Sequence, residues 1–395
     1  MKKKLISYLR NKKRHLIVAT LMAIFAITVG YWTMNWSVTL SSEKANLQLL
    51  EYIRQQIFGA NISHASDSIL MVDVHYDKVM VPEHKKSADG TQLELGQVPV
   101  TDRDKLLRLL KQLQLKKDYR YVILDVRLEE STSQSEDSAL WQTISEMPRL
   151  VLANPVGTQI ASPILNKKTA AAQYQTALWE TDFVKYPFYA DTIPSMALTM
   201  YREITGHDIQ RQGPLWMDGY QLSRRSILLT WDFSDYRERF YLGDLLEELG
   251  EGDEEDWAGN PSGKYILIGD FEDDIHPTFL GEIPGTLLIY NAFSSLLHKR
   301  HVLSLSFLFL LFCIYFALAW LTLSHNSRFK WICSFLGYTG FLFIVSIITY
   351  LAFNEVYDIL ITALLFTGLN KIVGMTNSRN KIKQYLVRIK KHFSK

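Results

Sequence analysis

Cysteine is scarce. The 395-residue chain has two, Cys313 and Cys333, and both lie inside long apolar runs. The polar region of the chain therefore has no disulfide framework and no dithiol redox site. Catalytic signatures are also missing: there is no H-E-x-x-H and no G-x-S-x-G. Residues 259–264 (GNPSGK) have some of the character of a phosphate loop, but the spacing is one residue short and a β-rich run follows in place of a helix. They are expected to form a turn. The polar stretch lacks a basic patch with interleaved aromatics, which argues against a nucleic-acid partner. No acid or base sits in the middle of an apolar run, which argues against a proton relay or ion path. Solenoid-type repeats are absent as well.

What the chain does have is four apolar runs, 16–36, 303–323, 331–353 and 356–375. Each is about the ~20 residues that a helix needs to cross a ~30 Å hydrocarbon core. Seven basic residues precede the first run: Lys2, Lys3, Lys4, Arg10, Lys12, Lys13 and Arg14. Positive charge is retained on the cytoplasmic side, so residues 1–15 are expected inside and 37–302 outside. The later connections agree. Residues 324–330 carry Arg328 and Lys330, 354–358 carry Glu355 and Asp358 with no basic residue, and 376–395 are again basic. Both termini are thus expected in the cytoplasm. The first run exceeds the ~7–15 residues of a signal h-region. No small-x-small cleavage pattern follows it, and Trp32 and Trp36 suit an interfacial belt. It is expected to remain as an anchor.

The formal net charge of +2 hides a split between basic ends and an acidic run at Glu247, Glu248, Glu251, Asp253, Glu254, Glu255 and Asp256. Three middle segments, 68–73, 121–125 and 264–270, are short apolar β-rich runs that stop at Asp73, Asp125 and Asp270. Apolar runs without alternation indicate strands buried on both faces. Between them, 104–115 places Leu106, Leu107, Leu109, Leu110 and Leu113 on one helical face, with Asp102 as N-cap. Helices are also expected at 139–146, 195–205, 242–249 and 287–297, and strands at 150–153 and 226–231. The fold class is therefore an α/β extracytoplasmic domain with a mostly parallel sheet, plus one N-terminal and three C-terminal spans.

Residues 263–270 (GKYILIGD), followed by Ile283-Pro284-Gly285 and Asn291-Ala292, resemble the last strand and helix of a CHASE2 domain. Residues 69–73 and 121–125 are similar to the family's two earlier strands. The resemblance covers about 67–301, although 76–89 lack the tryptophan–proline–arginine cluster of many members. It implies a bacterial extracytoplasmic sensory module in the cytoplasmic (inner) membrane, with its domain in the periplasm or outside the cell. Typical members continue past the third late span into a cyclase, kinase or similar output domain. This chain stops at Lys395, so a separate effector protein is the expected signalling partner. Homo-oligomerisation is also a candidate.

In a parallel sheet the three aspartates stand at C-terminal strand ends, where ligands of open α/β sheets bind. Neighbours extend the candidate ligand set to Asp73, His75, Asp77, Asp125, Asp270, Glu272, Asp273, Asp274 and His276, with Glu129 and Glu130 nearby. Several carboxylates with histidine suit a divalent cation, with Asp270, Asp274 and His276 as candidate ligands. The alternative is that these residues only cap turns and helices in solvent. The tail from Lys381 places Ile382, Tyr385, Leu386, Ile389 and Phe393 on one helical face, and Lys381, Lys383, Arg388, Lys390 and Lys391 around the rest. Such a helix lies on an anionic bilayer surface or on a partner helix. The expected function is a ligand-binding sensor, not an enzyme. A scaffold subunit of an envelope complex is the second reading and a metal-dependent hydrolase the third.

Overall fold

In a computed structural model of the chain, the residues described are 2–34, 36–58, 69–86, 92–128, 135–154, 162–176, 178, 182–229, 239–251, 260–279, 281–324, 335–353, 359–372 and 375. They belong to two compact units, one made of Met1–Arg54 with Leu303–Lys395 and the other of Gln55–Val302.

The first unit is helical. Helix α1 (Lys2–Thr33) packs against α8 (Leu305–Ser324), and α9 (Phe335–Phe353) belongs to the same unit. Among the described residues, three segments are long and apolar enough to cross a membrane: Lys12–Thr33, Leu305–Ser324 and Leu336–Phe353. The expected fourth span holds a shorter apolar helix, Ile359–Ile372. Helix α2 (Ser37–Phe58) was not anticipated from the sequence. The corner between α1 and α2 is closed by the Thr39 hydroxyl, which lies 2.8 Å from both the Thr33 and Trp36 carbonyls. Two polar contacts lie inside the unit, Thr322 with Tyr338 at 2.7 Å and the Asn46 amide donating to Ser346 at 2.9 Å. Residues 325–334 and the basic tail with Lys381, Lys383, Arg388, Lys390 and Lys391 lie outside the described residues.

The second unit is built on a six-stranded sheet. Its order is β15 (Arg239–Tyr241), β1 (Ile69–Asp73), β16 (Tyr265–Gly269), β4 (Tyr121–Asp125), β5 (Leu150–Asn154) and β6 (Thr169–Ala171). Every pairing in it is parallel. The three aspartate-ended runs are neighbours, with Asp73 in register with Gly269 and Gly269 with Asp125. Alternation along the strands divides their side chains between two faces. Leu70, Val72, Val122, Leu124, Ile266 and Ile268 join a buried cluster with leucines of α3 (Arg103–Lys116), α4 (Ser135–Glu146) and α6 (Leu242–Glu251). The opposite face is covered by α5 (Met196–Thr205) and α7 (Gly285–Leu297), with Tyr265 meeting Tyr290 and Phe293 of α7. The result is a three-layer α/β/α arrangement.

Helix α3 begins where the sequence indicates. The Asp102 carboxylate accepts from the Asp104 and Lys105 N–H groups at 3.0 and 3.2 Å. Its buried Arg103 reaches Asp137 of α4 at 2.6 Å, which ties the two helices together. The expected strand at 226–231 is β14 (Ser226–Leu228), but it lies in a second, mixed sheet. That sheet contains β14, β8 (Phe183–Pro187), β17 (Ile275–Thr278) and β18 (Gly281–Pro284), with β7 (Gln175–Thr176) on β8. Smaller antiparallel pieces complete the unit: the hairpin β2 (Lys78–Lys86) with β3 (Gln92–Thr101), the pair β9 (Tyr189–Ala190) with β10 (Ile193–Pro194), and the meander β11 (Ile209–Gln212), β12 (Leu215–Asp218) and β13 (Gln221–Ser223).

Candidate functional site

The C-terminal ends of β1, β16 and β4 gather the candidate residues into two groups. The first surrounds Asp270. Its carboxylate accepts the N–H groups of Glu272 and Asp273 at 3.0 and 2.8 Å, and its other oxygen lies 2.6 Å from Lys78 Nζ. Burial raises the Asp270 pKa, but those N–H groups and the lysine outweigh it and hold the pKa at about 2. His75 Nδ1 approaches Asp270 at 3.2 Å. Asp73 is fully buried beside this group. It accepts from His75 N and Phe271 N, and Arg239 Nη1 lies 3.2 Å from it. Burial raises the Asp73 pKa above that of an ordinary carboxylate. Arg239 also pairs with Glu272 at 2.6 Å, and Tyr241 and Tyr76 donate to the same carboxylate.

The second group surrounds Asp125. Gly269, between Asp73 and Asp125 in the register, has no Cβ, and one built there would overlap Thr286 Oγ1 of α7. The missing side chain lets Thr286 reach the sheet and donate to Asp125 at 3.2 Å. Gly285, the residue before Thr286, has the same role: a Cβ there would overlap the Asp274 carboxylate. Asp274 pairs with His276 Nε2 at 3.0 Å. Burial and the neighbouring Asp274 push the Asp125 pKa up to about 7, against the opposing effects of the Thr286 bond and His276. The bond to Asp274 raises the pKa of His276.

Members of both groups line one cavity of about 640 Å³, whereas Asp73, His75 and Glu272 are not part of its wall. Asp125, Asp274 and His276 lie on it, as do Lys78, Asp270 and Asp273. Leu128, Leu152, Leu165, Phe183, Leu288 and Ile289 supply apolar wall. This size falls within the ~300–1,000 Å³ usual for small-molecule sites. It also lies where such sites form in parallel sheets, outside the carboxyl ends of the strands.

Asp77 lies apart from both groups. Its buried carboxylate pairs with Lys105 of α3 at 2.5 Å and accepts the Gly243 N–H of α6 at 2.9 Å. It joins two helices on the far face of the sheet and serves as a cap for α6. Glu129 and Glu130 lie outside the described residues. Among the described residues, the group with ligand atoms within 4.8 Å of one another is His75, Asp270 and Asp273, whereas Asp274 and His276 pair separately. Lys78 Nζ bonds Asp270 at 2.6 Å and Asp273 at 2.9 Å, so the two carboxylates share one ammonium. Sequence reasoning missed Lys78, Arg239, Tyr241 and Thr286. The run Pro284-Gly285-Thr286 was the available signal for the last, since a glycine at a helix start permits close approach to a sheet.

These features define a class: an α/β domain with a cavity at its parallel strand ends, in a chain that also has membrane-type helices. Residues 22–324 match the CHASE2 domain, and the chain belongs to that family of extracellular sensory domains. No curated protein and no solved structure matches the chain.

Proposed function

We propose that this protein is a membrane-anchored sensor whose domain binds a small ligand in the strand-end cavity and signals through a separate effector protein. The observation that supports this most strongly is the cavity itself, because its wall includes Gly285, Leu288 and Ile289 of α7. The chain runs from the end of α7 at Leu297 to the start of α8 at Leu305 through seven residues, 298–304. A ligand that binds one arrangement of α7 more tightly than another would bias the helix that follows. In this reading the domain lies outside the cytoplasmic membrane, both termini lie inside, and the basic tail lies on the inner leaflet.

Thermal-shift measurements on the full chain in detergent, with divalent metals and a metabolite panel, test ligand binding. Stabilisation by at least one compound, lost when Ala153 in the cavity wall is replaced by Trp, is expected; no stabilisation by any compound overturns the site. Orientation is tested by thiol labelling of Ser135→Cys in a background with Cys313 and Cys333 replaced by serine. Labelling in intact cells is expected, and labelling only after permeabilisation inverts the topology. Crosslinking in cells followed by capture of the full chain tests for the effector.

A further inference from the structure

The cavity's charge is uneven, and this points to a ligand class. Of its acidic residues, Asp270 and Asp273 both pair with Lys78, and Asp274 pairs with His276. Among the described residues, Asp125 has a hydrogen bond only from the neutral Thr286 hydroxyl. It therefore remains the carboxylate of this wall without a direct cationic partner. The positive end of α7 already faces Asp125 and Asp274, which leaves less of it for an anionic ligand. The aromatic side of the cavity is next to these groups: Tyr174 stacks on Phe183 at 4.6 Å and meets His276 edge-on at 5.1 Å. Beyond them the wall is aliphatic, with Leu128, Leu152 and Leu288. A carboxylate without a direct cationic partner, in a cavity wall that also carries Tyr174, Phe183 and aliphatic side chains, is the donor pattern for an ammonium group with a hydrocarbon body.

We propose that the ligand is a small organic cation, an amine with an apolar or aromatic body, whose ammonium pairs with Asp125. This rests on the cavity being the ligand site. The test uses three probes that share a phenethyl body, phenethylamine, 2-phenylethanol and 3-phenylpropanoate, titrated by calorimetry into the full chain in detergent at pH 8. The amine should bind at least tenfold more tightly than the other two. The isosteric Asp125→Asn should remove that preference, and Asp274→Asn should reduce it less, each with an unchanged circular-dichroism spectrum. Binding of the alcohol or the carboxylate as tightly as the amine overturns the cation while leaving the cavity as a site. Amine preference that survives in Asp125→Asn overturns the pairing. If none of the probes binds at millimolar concentration the inference fails, and the metabolite panel alone then decides the cavity.

Discussion

Gly269 illustrates how one missing methyl can organise a site. Its neighbours in the register are Asp73 and Asp125, and the space where its Cβ would stand is taken by Thr286 Oγ1. Gly269→Ala should therefore force α7 away from the sheet, at a cost of roughly 1–3 kcal/mol typical of overpacking. Thermal unfolding should register the loss, and Thr286→Ala in the same chain should restore some of it, which a general loss of fold would not allow. The Asp125 carboxyl predicts a pH dependence. Its pKa rises from 3.8 to about 7 on folding, so between these values the folded state holds a proton that the unfolded state has released. Its contribution to stability must then fall as pH rises from about 4 to 7. His276, raised above 6.5 by its bond to Asp274, contributes stability that is present below 6.5 and is lost as pH rises through its folded value. Asp270 works the other way: with a folded pKa of about 2, its contribution is present above 3.8 and is lost as pH falls toward 2. Melting temperature measured from pH 4 to 8 should decline less steeply in Asp125→Asn than in the parent; an unchanged slope would contradict the assignment.

Among the elements, α3 shows most directly how sequence becomes structure. The leucine spacing and Asp102 indicated the helix, and Leu106, Leu109, Leu110 and Leu113 are all buried. Leu110→Ala should cost about 2–5 kcal/mol through lost burial and a cavity. Asp102→Ala should cost only about 1 kcal/mol, because it loses a cap and no core contact. Chemical denaturation of the two variants would check that order. The three strand–aspartate runs were legible for a related reason: strands buried on both faces must be apolar throughout, whatever their partners. The hairpin β2–β3, the meander and the mixed second sheet were not legible. Their strands are two to ten residues long, and in the mixed sheet the pairing is set by neighbours distant in sequence, as when β17 joins β8 through Thr278 and Phe183. The site divides in the same way. Strand-end position located Asp73, Asp125 and Asp270, but it could not show that Asp77 would turn to Lys105 and Gly243, or that Lys78 would bridge Asp270 and Asp273. Those outcomes depend on which helix packs where.

For the molecule as a whole, the proposed sensor reading requires a path from the cavity toward α8, and the residues that end the domain bear on it. Before α8 begins, His301 and Val302 are fastened to the meander. His301 accepts the Arg224 N–H on its carbonyl at 2.7 Å, and Val302 bridges Ser223. The His301 ring is buried, with Nε2 3.0 Å from Asp218, and Asp218 also accepts from Tyr201 of α5 at 2.9 Å. The bond to His301 lowers the Asp218 pKa despite burial, which marks the contact as favourable to the charged form. Helix α5 packs on α7, so the meander, α5 and α7 form a continuous body around the exit of the chain. In the proposed reading, a rearrangement of α7 would be passed along the chain as a shift of an anchored segment, where a loose linker would absorb it. His301→Gln should loosen the anchor without touching the cavity. The expected result is ligand affinity within about threefold of the parent, a lower melting temperature from the buried partner left behind, and a reduced ligand-dependent change in α8. A spin label or fluorophore at Cys313, with Cys333 replaced by serine, reports on that helix in reconstituted bilayers. If the ligand-dependent signal at Cys313 persists undiminished in His301→Gln, transmission does not depend on this anchor.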